Sequence, residues 1–318
     1  MISVIIPNYN KSNYIIETID SLKKQSTQNW ECIIIDDKST DQSYSIIKKK
    51  IINDHRFSLL LNNQNSGANY CRNLGILESK GEYVMFLDAD DLLHEQCIKS
   101  RLKYISKHSH LSFAVFPMGT FYNKIGDSVN VWNRFKGNHL NRFLAHDLPW
   151  AICSVVWEKS TLIKLGCFDE SFIRLQDVEL HTRALLYRNI KYQVNSDSDV
   201  DCYYRINNNK IDNYDNFLFN DIKGKMHYIS SFNKINIRNK KYLKGTFFEC
   251  LNNQLVFYNK GYIDKQKLLE LKLFVFENKA LISLNKLDLM ILDFYFKIRF
   301  FKIYFKGMNS CFKFLFIR

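Results

Sequence analysis

Residues 83–91 read YVMFLDADD, an almost unbroken apolar run that ends in a cluster of acidic side chains. Three similar apolar runs precede it, at Val4–Ile6, Cys32–Ile35 and Phe57–Leu61. Runs this short and continuous are typical of strands buried on both faces of a parallel sheet. Stretches of helical periodicity separate them at residues 14–22, 44–52 and 70–77, with Ser12 as the candidate cap of the first. The alternation predicts an α/β fold with a doubly wound, mostly parallel sheet.

Polar clusters follow three of the predicted strands at the point where each strand ends. They are Pro7–Asn10, Asp36–Asp37 and Asp88–Asp91. In doubly wound sheets, ligands bind in the crevice outside the carboxyl ends of the strands. We therefore expect the three clusters to face one crevice.

Asp88 and Asp90 are the strongest candidates for chemistry in this crevice. Two carboxylates separated by one residue at a strand end can share a divalent cation and a ribose hydroxyl, and Mg²⁺ or Mn²⁺ so held completes its shell with substrate phosphates. One alternative is a solvated turn that caps the following helix. Another is a phosphatase of the haloacid-dehalogenase-like class, although that class expects the motif on the first strand and Thr where Leu92 stands.

Three further side chains suit a nucleotide. Tyr9 could place its ring against a base, Asp37 could accept a hydrogen bond from a base N–H, and Arg72 could pair with a phosphate or the base. The alternatives are a packed loop tyrosine, a helix-capping aspartate and a surface ion pair.

The ordered set of motifs resembles the family 2 glycosyltransferases with the GT-A fold over roughly residues 1–205. The matching segments are VIIPNYN at 4–10, IDDKSTD at 35–41, NSG at 65–67, RNLG at 72–75 and the run from Gly81 to Asp91. Each motif alone is weak, but their order is specific.

The resemblance implies an inverting transfer from a nucleotide-sugar donor of the UDP or dTDP type to a saccharide or lipid-linked acceptor, with Mn²⁺ or Mg²⁺ as cofactor. It implies the following donor and metal positions: Pro7, Tyr9, Asp37, Arg72 and Asp88 for the donor, and Asp88 with Asp90 for the metal.

The resemblance also implies that Asp177 is the catalytic base. The family usually has Glu-Asp there, whereas this chain has Gln176-Asp177, and Glu179 is the alternative base. Trp150, Gln176, Glu179 and Arg205 are the expected acceptor or substrate residues. Helix capping is the alternative interpretation for the segment at Asp177, and core packing for Trp150.

Two regions are predicted: a catalytic domain over residues 1–215 and a helical region over 216–318, joined at the polar segment 207–216. The net charge of +13 suits an anionic partner, and no nucleic-acid-binding motif is present. The eight scattered cysteines form no CxxC pair and indicate reduced thiols. No export signal is visible, which favours the cytoplasm.

The segment from Leu289 to Phe305 is aromatic but interrupted by charges, so it is not predicted to cross a membrane. On a helical projection Arg299, Lys302, Lys306 and Lys313 share one arc and several aromatic residues share another. This predicts a helix lying in the interface of the inner membrane face, with a helix packed on the catalytic domain as the alternative. A catalytically inactive sugar-nucleotide-binding or scaffold protein is the alternative to an enzyme.

Overall fold

The computed structural model describes residues 1–132, 136–206, 213–235 and 237–317. It divides into two compact units. The sheet unit comprises the described parts of Met1–Lys136 and Pro149–Asn208, and the helical unit those of Gly137–Leu148 and Asn209–Arg318. Residues 207–212 of the predicted linker lie outside the described residues.

The sheet unit carries all the strands of the described chain. They are β1 Ile2–Asn8, β2 Trp30–Asp36, β3 Phe57–Leu61, β4 Tyr83–Phe86, β5 Leu92–Leu93, β6 Phe113–Val115, β7 Met118–Phe121, β8 Val131–Trp132, β9 Val155–Glu158, β10 Tyr192–Val194 and β11 Cys202–Arg205. Its helices are α1 Ile15–Lys23, α2 Ser43–Ile51, α3 Ala68–Glu78, α4 Cys97–Lys107, α6 Lys159–Lys164 and α7 Gln176–Leu186.

Seven strands form the main sheet in the order β10-β6-β9-β4-β1-β2-β3. Strands β1 to β4 are all parallel where they pair, and only β9 runs antiparallel to its neighbours. The predicted doubly wound, mostly parallel sheet is therefore confirmed. A second sheet, with the order β5-β11-β7-β8, was not predicted. Two of its strands, β5 and β8, contain only two residues each, too few for a hydrophobic pattern.

The centre of the main sheet is dry because apolar side chains cover both of its faces. Val4, Ile5 and Ile6 on β1 are all fully buried. Helix α3 lies so close to this strand that a Cβ placed on Gly75 would come within 2.4 Å of Ile5 Cγ2. The close approach fixes the start of α3 relative to the ends of β1 and β2.

One local prediction, the Ser12 cap, is wrong, and so is the alternative interpretation of Asp88 and Asp90 as helix-capping residues. Helix α1 begins at Ile15 after Tyr14, and the Ser12 amide instead donates to Asp41 Oδ2. The turn after β4 leads into the short strand β5, and α4 begins only at Cys97, so Asp88 and Asp90 do not cap a following helix.

The helical unit comprises α5 His139–Leu144, α8 Tyr214–Phe232, α9 Ile237–Lys240, α10 Leu243–Asn259, α11 Lys265–Glu277, α12 Lys286–Phe300 and α13 Met308–Ile317. Helix α10 is its centre: Phe247, Phe248 and Leu251 are fully buried. No helix in the described part of the chain is long and apolar enough to cross a membrane.

The predicted single amphipathic helix through residue 305 is wrong. Helix α12 ends at Phe300, and Lys302 takes a left-handed conformation with φ of 60°. The predicted basic arc is also broken: Arg299 is buried, and Lys313 Nζ donates to Glu249 Oε1 at 2.7 Å. Side-chain partners on other helices decide this, and a helical projection does not contain them.

Candidate active site

The carboxyl ends of β1, β2 and β4 border a cleft of about 360 Å³. Six residues predicted from the sequence line it: Pro7, Tyr9, Asp37, Arg72, Asp88 and Asp90. They converge because β1 pairs with β2 on one side and with β4 on the other, in parallel register. The three polar clusters therefore face one crevice, as their places at the strand ends predict.

Asp37 is held rigidly at the end of β2. Its carboxylate accepts hydrogen bonds from the amides of Ser66 at 2.8 Å and Gly67 at 2.7 Å, and from Asn62 Nδ2 at 2.7 Å. Gly67 has a φ of 89°, a conformation that side-chain-bearing residues rarely adopt. Oδ2 accepts one of these bonds and has capacity for another, and the exposed Tyr9 side chain lines the same cleft.

The buried guanidinium of Arg72 connects the cleft to the start of α7. It donates to Asp88 Oδ1 at 2.9 Å and to Gln176 Oε1 at 2.7 Å, and lies 5.4 Å from the ring of Phe168. The first hydrogen bond reaches the end of β4 and the second the start of α7. Arg72 thus sets the position of the Gln176–Asp177 segment relative to the acidic cluster.

Asp177 lies in the first turn of α7, two residues after Leu175, whose φ of 60° is left-handed. Like Gln176, Asp177 is not among the residues that line the cleft. Burial raises the pKa of this carboxyl, the charge of Arg72 opposes the rise, and the charge of Asp88 adds to it. A carboxylate with a raised pKa is a stronger base once it is ionised. The environment of Asp177 therefore suits proton abstraction.

Asp88 and Asp90 form the only carboxylate pair predicted from the sequence to hold a metal. Arg72 contacts Asp88, and the Lys11 ammonium contacts Asp90. Among the described residues no group of three or more His, Cys, Asp or Glu side chains could hold a metal ion. Two carboxylates are nevertheless a sufficient protein contribution for Mg²⁺ or Mn²⁺ when substrate phosphates complete the shell, so this donor set fits such a cation.

Glu179 lies away from the cleft lining. Its carboxylate accepts hydrogen bonds from Nε and Nη2 of Arg183 at 2.6 and 2.8 Å. Arg183 also donates a hydrogen bond to the carbonyl of Cys167 at 2.7 Å. This interaction braces the turn before α7. Glu179 is therefore engaged in structure and is not placed as an alternative base.

Arg205 and Trp150 are also outside the cleft lining. Arg205 Nε donates to the carbonyl of Asp90 at 2.9 Å, and its Nη2 to Glu17 Oε2 at 2.6 Å, so it fixes the acidic turn from behind. Trp150 is buried against Phe113 and against His181, whose pKa is lowered by burial to about 3. Arg205 therefore supports the acidic turn, and Trp150 packs in the core.

Lys11 and Tyr204 line the cleft but were not among the predicted site residues. Lys11 directly follows the PNYN segment, in the turn that leads into α1. Tyr204, on β11, lines the cleft, and burial together with the charges of Asp91, Asp90 and Asp88 raises its pKa to about 12. The only available signal was their position beside motif residues.

Comparisons with known proteins agree with this geometry. The model of the family described as glycosyl transferase family 2 matches residues 3–159. The glycosyltransferase GlyG of Streptococcus pneumoniae is 34% identical over 123 residues, which cover 39% of this chain and 40% of GlyG. TuaG of Bacillus subtilis, a putative teichuronic acid biosynthesis glycosyltransferase, is 37% identical over 34% of this chain and 43% of its own. The chain thus spans about two fifths of each of these relatives.

Solved structures extend the likeness to the whole chain. The crystal structure of Staphylococcus aureus TarS in complex with UDP aligns with a TM-score of 0.61 and 20% identity, covering 99% of this chain and 90% of that one. A mannosyltransferase from Pyrobaculum calidifontis, in complex with GDP-Man and Mn²⁺, aligns with a TM-score of 0.57 and 14% identity over 95% and 84% of the chains. At these identities the likeness shows the fold, and the expected GT-A fold is confirmed.

The phosphatase alternative does not survive these observations. Its acidic motif belongs on the first strand, whereas here Asp88 and Asp90 follow β4, inside the matched region. On the ordered motifs, the sheet topology and the family match together, residues 3–159 of this chain belong to the family 2 glycosyltransferases.

Proposed function

We propose that the cleft binds a UDP- or dTDP-sugar and that the protein transfers the sugar, with inversion, to a saccharide or lipid-linked acceptor. The observation that carries the proposal is the convergence of Tyr9, Asp37, Arg72, Asp88 and Asp90 on one cleft of about 360 Å³. That volume lies within the usual range of small-molecule sites.

The base-recognition part of the proposal rests on Asp37 and Tyr9. Three hydrogen-bond donors hold the Asp37 carboxylate in place, and its Oδ2 can accept one more hydrogen bond, from a base N–H. The exposed ring of Tyr9 lies at the mouth of the same cleft and offers a flat face to the base. Uracil and thymine both present such an N–H, which is why the two nucleotides are proposed together.

Asp177 is proposed as the base that takes the proton of the acceptor hydroxyl. Its raised pKa and its place beside Arg72 and Asp88 support this role. Gln176, held by Arg72, is proposed to orient the acceptor and contributes no charge of its own.

Asp88 and Asp90 are proposed to hold Mn²⁺ or Mg²⁺, with Asp88 also contacting the ribose. Such a cation, when bound, neutralises charge that develops on the departing diphosphate. Arg72 supplies a fixed positive charge on the same side of the cleft. Arg205 keeps the Asp90 backbone in place from behind.

The pathway proposed is the biosynthesis of a surface polysaccharide or glycolipid. The similarity to TuaG and to the poly(ribitol-phosphate) β-N-acetylglucosaminyltransferase TarS supports this class of acceptor. The TarS structures solved with UDP and UDP-GlcNAc support a uridine nucleotide.

We also propose peripheral binding to the inner face of the membrane through the segment Phe301–Lys306. Phe301, Ile303, Tyr304 and Phe305 are 56–71% exposed, and Lys302 and Lys306 beside them are exposed as well. Aromatic side chains flanked by lysines suit an anionic lipid interface. This short non-helical segment replaces the predicted amphipathic helix as the docking element.

Donor hydrolysis tests the catalytic proposal. A panel of UDP-, dTDP- and GDP-sugars is incubated with Mn²⁺ or Mg²⁺ and either wild type, Asp90→Ala or Lys99→Met, an exposed control on α4. Slow release of nucleoside diphosphate from a UDP- or dTDP-sugar, lost only in Asp90→Ala, is the expected result. Binding of the same sugars without turnover, even with added acceptors, would favour the inactive binding or scaffold protein.

Vesicle co-sedimentation tests the membrane proposal. The full chain and a Phe301→Ser/Phe305→Ser variant are mixed with vesicles containing phosphatidylglycerol or with neutral phosphatidylcholine vesicles. We expect the wild type to sediment with the anionic vesicles and the variant to remain in solution. Equal partitioning of the two proteins would contradict docking through this segment.

A further inference from the structure

Lys11 has an anchored main chain and a partly exposed side chain that lines the cleft. Its amide donates to Ser43 Oγ at 2.9 Å, and its carbonyl accepts from the amides of Tyr14 and Ile15 at 2.9 and 3.0 Å. The side chain is 33% exposed and leaves this anchor to enter the cleft. Its ammonium can therefore change partners without any movement of the backbone.

The Lys11 ammonium contacts Asp90 Oδ2 across the cleft. The side chain of Asp90 is only 12% exposed, so water screens this pair less than a surface pair. Arg72 in the same way pairs with Asp88 at 2.9 Å. Both carboxylates that are proposed to hold a divalent cation thus already carry a cation supplied by the protein.

Because of these ion pairs, a divalent cation must compete with Lys11 and Arg72 for the two carboxylates. A divalent cation and the Lys11 ammonium would compete for the Asp90 carboxylate, so each lowers the affinity of the other for it. The ionisable cleft lining has two positive groups, Lys11 and Arg72, against three carboxylates, Asp37, Asp88 and Asp90. An anionic diphosphate entering the cleft would offer the Lys11 ammonium a new partner.

We propose that Lys11 is a positioning residue that exchanges partners during donor binding. It pairs with Asp90 in the free protein, and turns to the donor diphosphate when a divalent cation takes that carboxylate. The inference rests on the proposed function, because it needs a nucleotide and a cation in this cleft. Its consequence is that Lys11 couples the two: diphosphate strengthens cation binding, and the cation strengthens diphosphate binding by the same factor.

The test measures Mn²⁺ affinity of the full chain by electron paramagnetic resonance, without nucleotide and then with saturating UDP or dTDP. Four proteins are compared: wild type, Lys11→Met, Lys11→Arg and Lys99→Met, the last removing the same charge from an exposed site on α4. Without nucleotide, Lys11→Met should bind Mn²⁺ about fivefold tighter than wild type, a gain of about 1 kcal/mol. Nucleotide should tighten Mn²⁺ binding about tenfold or more in wild type, and clearly less in Lys11→Met.

The coupling factor separates this role from simple charge removal. Lys11→Arg, which keeps the charge, should retain most of the coupling, and Lys99→Met should match wild type. An unchanged coupling factor in Lys11→Met would refute the exchange and leave Lys11 as a static ion pair. Failure of every protein to bind nucleotide and Mn²⁺ would refute the proposed function itself, and the inference with it.

Discussion

Arg72→Met is the substitution that most sharply probes how the site is assembled. Methionine keeps much of the apolar stem but removes every N–H donor of the guanidinium. The substitution therefore breaks the hydrogen bonds to Asp88 Oδ1 at 2.9 Å and to Gln176 Oε1 at 2.7 Å. Asp88, after β4, and Gln176, at the start of α7, would then each lose the hydrogen bond that Arg72 donates.

The magnitude follows from the exposure of each partner. The Asp88 side chain is 35% exposed, so water screens its pair with Arg72, which we take as about 1 kcal/mol. The bond to Gln176 comes from a charged, buried donor and contributes about 1.5–2 kcal/mol. Together they predict that Arg72→Met lowers the free energy of unfolding of the sheet unit by about 2.5–3 kcal/mol.

Urea unfolding followed by tryptophan fluorescence measures this decrease. All four tryptophans, at positions 30, 132, 150 and 157, belong to the sheet unit, so the signal reports that unit. Arg188→Met, at an exposed position just after α7, is the matched control and should stay within about 0.5 kcal/mol of wild type. A decrease below about 0.5 kcal/mol in Arg72→Met would refute the idea that this guanidinium joins β4 to α7.

Three further predictions concern single positions. Asp177→Asn should abolish transfer but leave UDP binding intact. Burial raises the pKa of Asp177, so the wild-type rate should begin to fall at a higher pH, as the pH is lowered, than it would with an exposed aspartate as base; a pH–rate profile measures this. Arg101→Met should cost about 3–5 kcal/mol in urea unfolding, since it leaves Asp201 buried without the paired guanidinium. Gly75→Ala should lower the melting temperature through a destabilisation of about 1–3 kcal/mol, because its Cβ would overlap Ile5.

The strands that build the cleft could be predicted from local sequence, because a strand buried on both faces must be apolar along its whole length. Strand β3 was predicted at its observed bounds, and β1 and β2 extend the predicted runs by one or two residues at each end. Their carboxyl ends then fixed where polar residues would gather. The short strands β5 and β8 contain two residues each and carry no detectable pattern.

The side-chain partners could not be predicted, since they come from distant parts of the chain. Arg72 and Gln176 are 104 residues apart, and Arg205 and Glu17 are 188 apart. Nothing in the spacing of these residues distinguishes a side chain that enters the cleft from one that supports it from behind. Glu179 is different, because Arg183 lies four residues further along the same helix, and helical spacing alone brings such a pair together.

The most direct test of the central claim is a crystal structure of the protein with UDP or dTDP and Mn²⁺. The account predicts the base beside Tyr9 and Asp37, and the diphosphate with its cation next to Asp88 and Asp90. Nucleotide bound elsewhere on the sheet unit, or bound here with its diphosphate pointing away from the two aspartates, would contradict it.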